Sequence, residues 1–138
     1  MPSDERYVFD ANAIVSALRL PDSVPRRAFD RALEQGRILL SAPIIRELED
    51  VLRRPRLDRY VLEEERMRFL VALIRAAVVI RVSVTVTDSR DAKDNMYLEL
   101  ALAGGAAFLV SGDRHLLALH PFRGIPILRP NDFLAQFG

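Results

Sequence analysis

The hydrophobic positions change period several times along the chain, and each change marks an element. Tyr7, Val8 and Phe9 form a short apolar run that ends at Asp10, and a helical pattern follows over 13–18. Asp22 or Ser23 can cap a second helix with Pro25 in its first turn; Ala28, Phe29, Ala32 and Leu33 make its apolar stripe, and Gly36 stops it. "RILL" over 37–40 reads as a strand. Ser41, with Pro43 just behind it, opens a helix carrying Ile44, Leu48, Val51 and Leu52 on one face, and Pro55 ends it. The acids Glu63, Glu64 and Glu65 favour the start of another helix through its macrodipole, and that helix runs to about 77. From Ile80, apolar Val82, Val84 and Val86 alternate with Arg81, Ser83, Thr85 and Thr87, which predicts a strand or two. A helix over 92–103, the strand "AFLVS", a short helix after Asp113, the strand "IPIL" and a helix from Pro130 complete the chain.

Strands and helices therefore alternate almost throughout, without repeats, linkers or low-complexity tracts. The pattern predicts an α/β fold, a central parallel sheet covered on both faces by helices. Ligands of such sheets bind beyond the carboxyl ends of the strands. Asp10 ends the first strand and Asp113 follows "AFLVS" through Ser111 and Gly112, so both carboxylates are expected in that crevice.

Size and composition narrow the class. A chain of 138 residues, 50% hydrophobic, is expected to form one domain over 1–138. Its formal net charge of +1 announces neither a nucleic-acid nor a membrane partner, although of 20 cationic side chains only Lys93 is lysine and the guanidinium fork of arginine suits phosphate. The absence of Cys excludes disulfides, thiolate metal sites and a Cys nucleophile. No apolar leader and no membrane-length apolar stretch is seen, so the expected setting is cytoplasmic.

Two further acids stand beside apolar stripes. At about 100° per residue, Glu47 flanks the stripe of Ile44, Leu48 and Val51, whereas Arg46, Glu49, Asp50 and Arg53 fall opposite. Asp94 shares a face with Tyr97, Leu98 and Ala101. Singly, each acid has a plain alternative: Asp10 and Asp113 as helix N-caps, Asp91 as the cap in "DAKD", and Glu47 as a rim residue. Jointly, converging carboxylates raise one another's pKa unless a cation sits among them. Mg²⁺ or Mn²⁺ suits such oxygen donors, and its waters can be activated for attack on a phosphodiester. His115 and His120, five residues apart, do not share a helix face and read as surface residues.

The segments "YVFDANAIVSAL", "LSAPIIRELEDVLRR", "DSRDAKDNMYLELALAGGAAFLVSGDRHLLAL" and "IPILRPNDFL" together resemble the PIN-domain ribonucleases, in particular the bacterial toxin components of toxin–antitoxin systems related to VapC-type toxins. By that resemblance Asp10, Glu47, Asp94 and Asp113 correspond to the family's acidic metal-site residues, Asn12 to the polar residue two after the first Asp, and Ser111 to the hydroxyl residue before "GD". The resemblance implies an α/β/α sandwich, metal-dependent endonucleolytic hydrolysis of RNA, frequent homodimers and inhibition by a small antitoxin. Ala92, Ala107 and Ser111 depart from the subgroup's commoner Pro, Asp and Thr, and none of these departures removes a carboxylate.

On this reading Asp10, Asp94 and Asp113 hold one or two Mg²⁺ or Mn²⁺ ions, and Glu47 orients or deprotonates the attacking water. Asn12 and Ser111 orient ligands or touch substrate, and Asp91 stands near enough to help position a bound water. RNA would need cations: Arg26, Arg27 and Arg31, and Arg53, Arg54, Arg56 and Arg59, are the clusters to examine, although both alternate with acids at helical spacing. Two other classes compete. A haloacid-dehalogenase-like phosphatase wants an Asp where Asn12 stands, and a receiver domain wants a late Lys, whereas a non-catalytic module could use the acidic cleft to receive an Arg-rich peptide.

Overall fold

A computed structural model describes residues 4–138. Five strands, β1 (Arg6–Phe9), β2 (Arg37–Leu40), β3 (Val78–Val79), β4 (Phe108–Val110) and β5 (Ile127–Leu128), form one sheet in the order β3-β2-β1-β4-β5. Every pairing is parallel, with Tyr7 opposite both Ile38 and Phe108. The helices are α1 (Ala11–Arg19), α2 (Val24–Gln35), α3 (Ala42–Leu52), α4 (Glu63–Ala76), α5 (Asn95–Gly104), α6 (Arg114–Leu117) and α7 (Pro130–Ala135). This is the expected α/β/α arrangement.

The strand order places the site. From β1 the chain winds outward through β2 to β3, then returns to the other side of β1 with β4 and β5. The switch lies between the carboxyl ends of β1 and β4, where such a sheet opens a crevice. Asp10 follows β1 directly and its N–H bonds Val110 O at 3.1 Å, so the two strand ends are tied together there.

Period 2 along β1 puts Tyr7 and Phe9 on one face of the sheet. Both rings meet Phe133 of α7 edge-on, at 5.2 and 5.6 Å between centroids, the geometry that aromatic quadrupoles favour. α5 packs on β1, β2 and β4. Its last residue, Gly104, lies so near β2 that a Cβ there would meet Leu39 Cδ1 at 2.4 Å, and Gly105 turns the chain away at φ 65°.

Two expectations are corrected. The strand predicted from Ile80 onward does not form; a two-residue strand, Val78–Val79, stands just before it, with one more ladder bond from Ile80 N to Leu40 O at 2.8 Å. Beyond it the side chains still alternate, Val82, Val84 and Val86 turned inward and Arg81, Ser83 and Thr85 outward, but no neighbouring strand accepts the backbone. Periodicity reports sidedness and leaves pairing open. The helix expected over 92–103 begins as a 3-10 turn at Ala92–Asp94, and the α-helix proper starts at Asn95. Among the described residues no helix is long and apolar enough to cross a membrane.

Candidate active site

Asp10 sits at the N-cap of α1, where its Oδ1 accepts from Ala13 N at 2.8 Å. Its Oδ2 accepts the hydroxyl of Ser111, the fully buried residue that follows β4. The same hydroxyl oxygen accepts from Asp113 N at 2.9 Å, and Asp113 in turn caps α6, taking His115 N at 2.7 Å. One serine thus bridges two acids 103 positions apart in the numbering, the first through its proton and the second through its lone pair.

The same device recurs at Ser89. Its hydroxyl donates to Asp94 Oδ2 at 3.4 Å and accepts from Asp91 N at 3.3 Å, while Asn95 Oδ1 holds its own N–H at 2.9 Å. Asp91 caps the 3-10 turn through Lys93 N at 3.0 Å. Asp94 does not complete a capping box there; its carboxylate turns back to Ser89. The plain capping role and convergence on the crevice therefore coexist in Asp10, Asp91 and Asp113.

Asp10, Asn12, Glu47, Asp91, Asp94 and Asp113 all line one cleft of about 130 Å³. Glu47 reaches it from α3, half-exposed at the edge of the buried stripe, as the helical count predicted. Tyr97 also lines it, and its hydroxyl accepts from Ala11 N at 3.2 Å. Neither Ser89 nor Tyr97 was singled out in the sequence. A more spacious groove of about 640 Å³ between α3 and α4 has no such convergence of acids, so volume does not mark this site. Of the arginine clusters, Arg26, Arg31, Arg53 and Arg54 pair with Asp30, Glu34, Glu49 and Asp50 at helical spacing, as expected of solvated faces.

The electrostatics follow from burial. Asp10 is 4% exposed, and loss of water pushes its carboxyl up from 3.8 to about 6. The Ser111 and Ala13 hydrogen bonds pull the other way, and the charges of Asp113 and Asp94 add to the rise. Asp94 is raised as well, by burial first and then by Asp113 and Asp91, against the Ser89 hydrogen bond and His115. Burial foremost, then the surrounding carboxylates, hold the Tyr97 phenol protonated above its ordinary range. The cleft therefore carries more negative charge than its protein partners neutralise.

Among the described residues, no three Asp, Glu or His side chains are grouped closely enough to hold a metal ion as they stand. The donor set nevertheless fits a hard divalent cation: carboxylate oxygens, no thiolate, and an unrelieved mutual repulsion.

A family model described as PIN domain matches residues 6–115, a span that contains every acid of the cleft. The uncharacterized protein MJ1680 of Methanocaldococcus jannaschii is 28% identical over 116 residues, covering 83% of this chain and 74% of that protein. Among solved structures, PAE2754 from Pyrobaculum aerophilum superposes with a TM-score of 0.62 at 21% identity, over 97% of this chain and 90% of its own. VapBC2 from Rickettsia felis, bound to a DNA fragment from its promoter, gives 0.59 at 13% identity over 88% and 96%. At these identities the likeness to solved structures is one of fold.

Proposed function

The chain belongs to the PIN domain family, a family of nucleases, and from that premise we infer that it is a divalent-metal-dependent endoribonuclease, the toxin of a toxin–antitoxin pair. The observation that carries this reading is the convergence of Asp10, Glu47, Asp94 and Asp113 on one cleft at the switch point of the sheet.

Asp10, Asp94 and Asp113 would hold Mg²⁺ or Mn²⁺, which when bound supplies an activated water and neutralises charge on the phosphate. Glu47, the acid of the cleft without a hydrogen bond among the described residues, is free to orient that water and take its proton. Ser111 and Ser89 fix the carboxylates of Asp10 and Asp94, and Asn12, exposed at the mouth, meets the substrate. The Tyr97 phenol, held protonated, keeps its O–H available to a phosphate oxygen. The chain acts as one domain, in the cytoplasm, as a homodimer held in check by a small antitoxin.

Purified protein incubated with mixed RNA should cleave it with Mg²⁺ or Mn²⁺ and not with chelator, and Asp10→Asn should be inactive. Cleavage that survives chelator, or is equal in the variant, would overturn the reading. The same acids support a second reading, a non-catalytic cleft that receives an arginine of a partner peptide. Peptide binding without any cleavage would select it. A phosphoryl-transfer route through Asp10, of the haloacid-dehalogenase-like kind, would want a second Asp where Asn12 stands.

A further inference from the structure

Next to the acidic cleft, and sharing Asn12 with it, lies a second cleft of about 400 Å³ with the opposite character. Arg19, Arg56 and Arg59 line it together with Tyr60, and no Asp or Glu does. These arginines are not the solvated pairs that account for their neighbours. Arg53 and Arg54, just before them in the chain, are tied to Glu49 and Asp50 at 3.3 and 3.4 Å, whereas among the described residues Arg19, Arg56 and Arg59 have no carboxylate partner.

What holds two of them is an aromatic ring. The guanidinium carbons of Arg19, at the end of α1, and Arg59 lie 4.8 and 5.5 Å from the Tyr60 ring centroid. Two cations kept on one ring repel each other, and an anion between them relieves that repulsion, as a cation would relieve the acids next door. Tyr60 is itself 45% exposed, so part of its surface stays open to a base.

The loop that presents these groups is braced from below. Arg66 of α4, 1% exposed, donates to Leu52 O at 2.6 Å, to Val61 O, and to Asp58 Oδ1 at 3.0 Å, thereby clamping both ends and the middle of 52–61. Leu57, buried between Arg56 and Arg59, plugs the loop into the core. Such bracing lowers the ordering cost of binding.

We propose that Arg19, Arg56, Arg59 and Tyr60 form the strand-binding subsite of this protein, seating the phosphates of single-stranded RNA that flank the bond presented to the acidic cleft. The subsite rests on the nuclease reading for its purpose but not for its binding. Guanidinium forks match phosphate oxygens, and a tyrosine beside them accepts a base of any sequence. Asn12, common to both clefts, marks where the strand passes from one to the other.

The test is fluorescence anisotropy in chelator, where no cleavage occurs, with a labelled oligouridylate of about twelve nucleotides, within the range single-strand sites span. Arg56→Ala/Arg59→Ala should weaken binding by about tenfold or more and reduce the slope of log affinity against log salt by about 1.4, two phosphate contacts at roughly 0.7 each. Arg53→Ala/Arg54→Ala removes the same charge from paired positions and should change affinity by less than about threefold. Tyr60→Leu should cost about fivefold or more, and Tyr60→Phe should bind as wild type does, which also separates stacking from misfolding. Equal losses in the two double variants, or none in Arg56→Ala/Arg59→Ala, would overturn the subsite. Binding of a poly-glutamate peptide in place of the RNA, with the same residue dependence, would overturn it in favour of an acidic protein partner. If the expected binding pattern appears while Mg²⁺ and Mn²⁺ elicit no RNA cleavage, the nuclease reading falls and the subsite stands.

Discussion

The two halves of the acidic cleft use one device on unlike supports. In one half, Ser111 and Asp10 leave the ends of adjacent strands, where Asp10 N is bonded to Val110 O at 3.1 Å and Ser111 N to Leu128 O at 2.9 Å. In the other, Ser89 and Asp94 belong to a loop and a 3-10 turn, and their mutual bond is 3.4 Å long, near the outer limit for a hydrogen bond. Sheet-borne acids keep their places, and loop-borne acids can adjust. A site of this kind joins acids tied to the sheet to acids carried by a loop around one shared repulsion.

The comparison breaks most visibly in catalysis. Asp10→Asn or Asp113→Asn, in the sheet half, should lower RNA cleavage by about 1000-fold, the scale of losing a main electrostatic element of a site, whereas Asp91→Asn in the loop half should cost about tenfold. Rates within threefold of each other for the three variants would erase the distinction.

Stability against pH gives the next largest effect. Folded Asp10 holds its proton up to about pH 6, against 3.8 for an ordinary carboxyl, so this group favours folding fully below about pH 4 and that contribution is gone above pH 6. In chelator, Asp10→Asn, whose amide oxygen keeps the cap to Ala13 N while its NH2 faces the Ser111 hydroxyl oxygen, should be more stable than wild type by up to about 3 kcal/mol at pH 7, the gap closing near pH 4. Asp91→Asn should show no such closing gap. Denaturant titrations at several pH values decide the matter, and a gap that widens on acidification would contradict the burial of Asp10.

Metal binding is expected at a slightly smaller scale. At about 100 times its dissociation constant, Mg²⁺ or Mn²⁺ should stabilise the wild type by roughly 2.7 kcal/mol, on the order of 5 °C in Tm. Asp113→Asn should show much less of this rise; an equal rise would remove Asp113 from the site. Last come the serines. Ser111→Ala strands a buried carboxylate oxygen and the Asp113 N–H and should cost about 1–3 kcal/mol, with Ser89→Ala costing about 1 kcal/mol or less, both read by thermal denaturation in chelator.

Much of this was legible in the residues. An acid directly after an apolar run gave Asp10, an acid three residues past a later such run gave Asp113, and helical counting gave Glu47 and Asp94, because strand ends and helix faces obey fixed periods. Ser89 escaped notice because it lies past the alternation that ends at Thr87, in the link to the next helix, yet Ser89-Arg90-Asp91 repeats the spacing of Ser111-Gly112-Asp113, a signal that was present. Tyr97 was counted as core because a helical face does not tell which of its residues reach a cleft. The juncture of Arg19 with Tyr60 was beyond sequence reasoning: it depends on how α1 meets the loop before α4, which is a matter of tertiary packing.

The bond between Ser111 and Asp10 spans 101 residues of chain, and this has a consequence for how the protein comes into being. At roughly 5–20 residues per second of synthesis, the first acid waits some 5–20 s for its serine, and a nascent chain shorter than 113 residues lacks the last acid altogether. No nascent chain that stops short of Asp113 carries the assembled cleft, so its acids meet only after the whole span from Asp10 to Asp113 has been made.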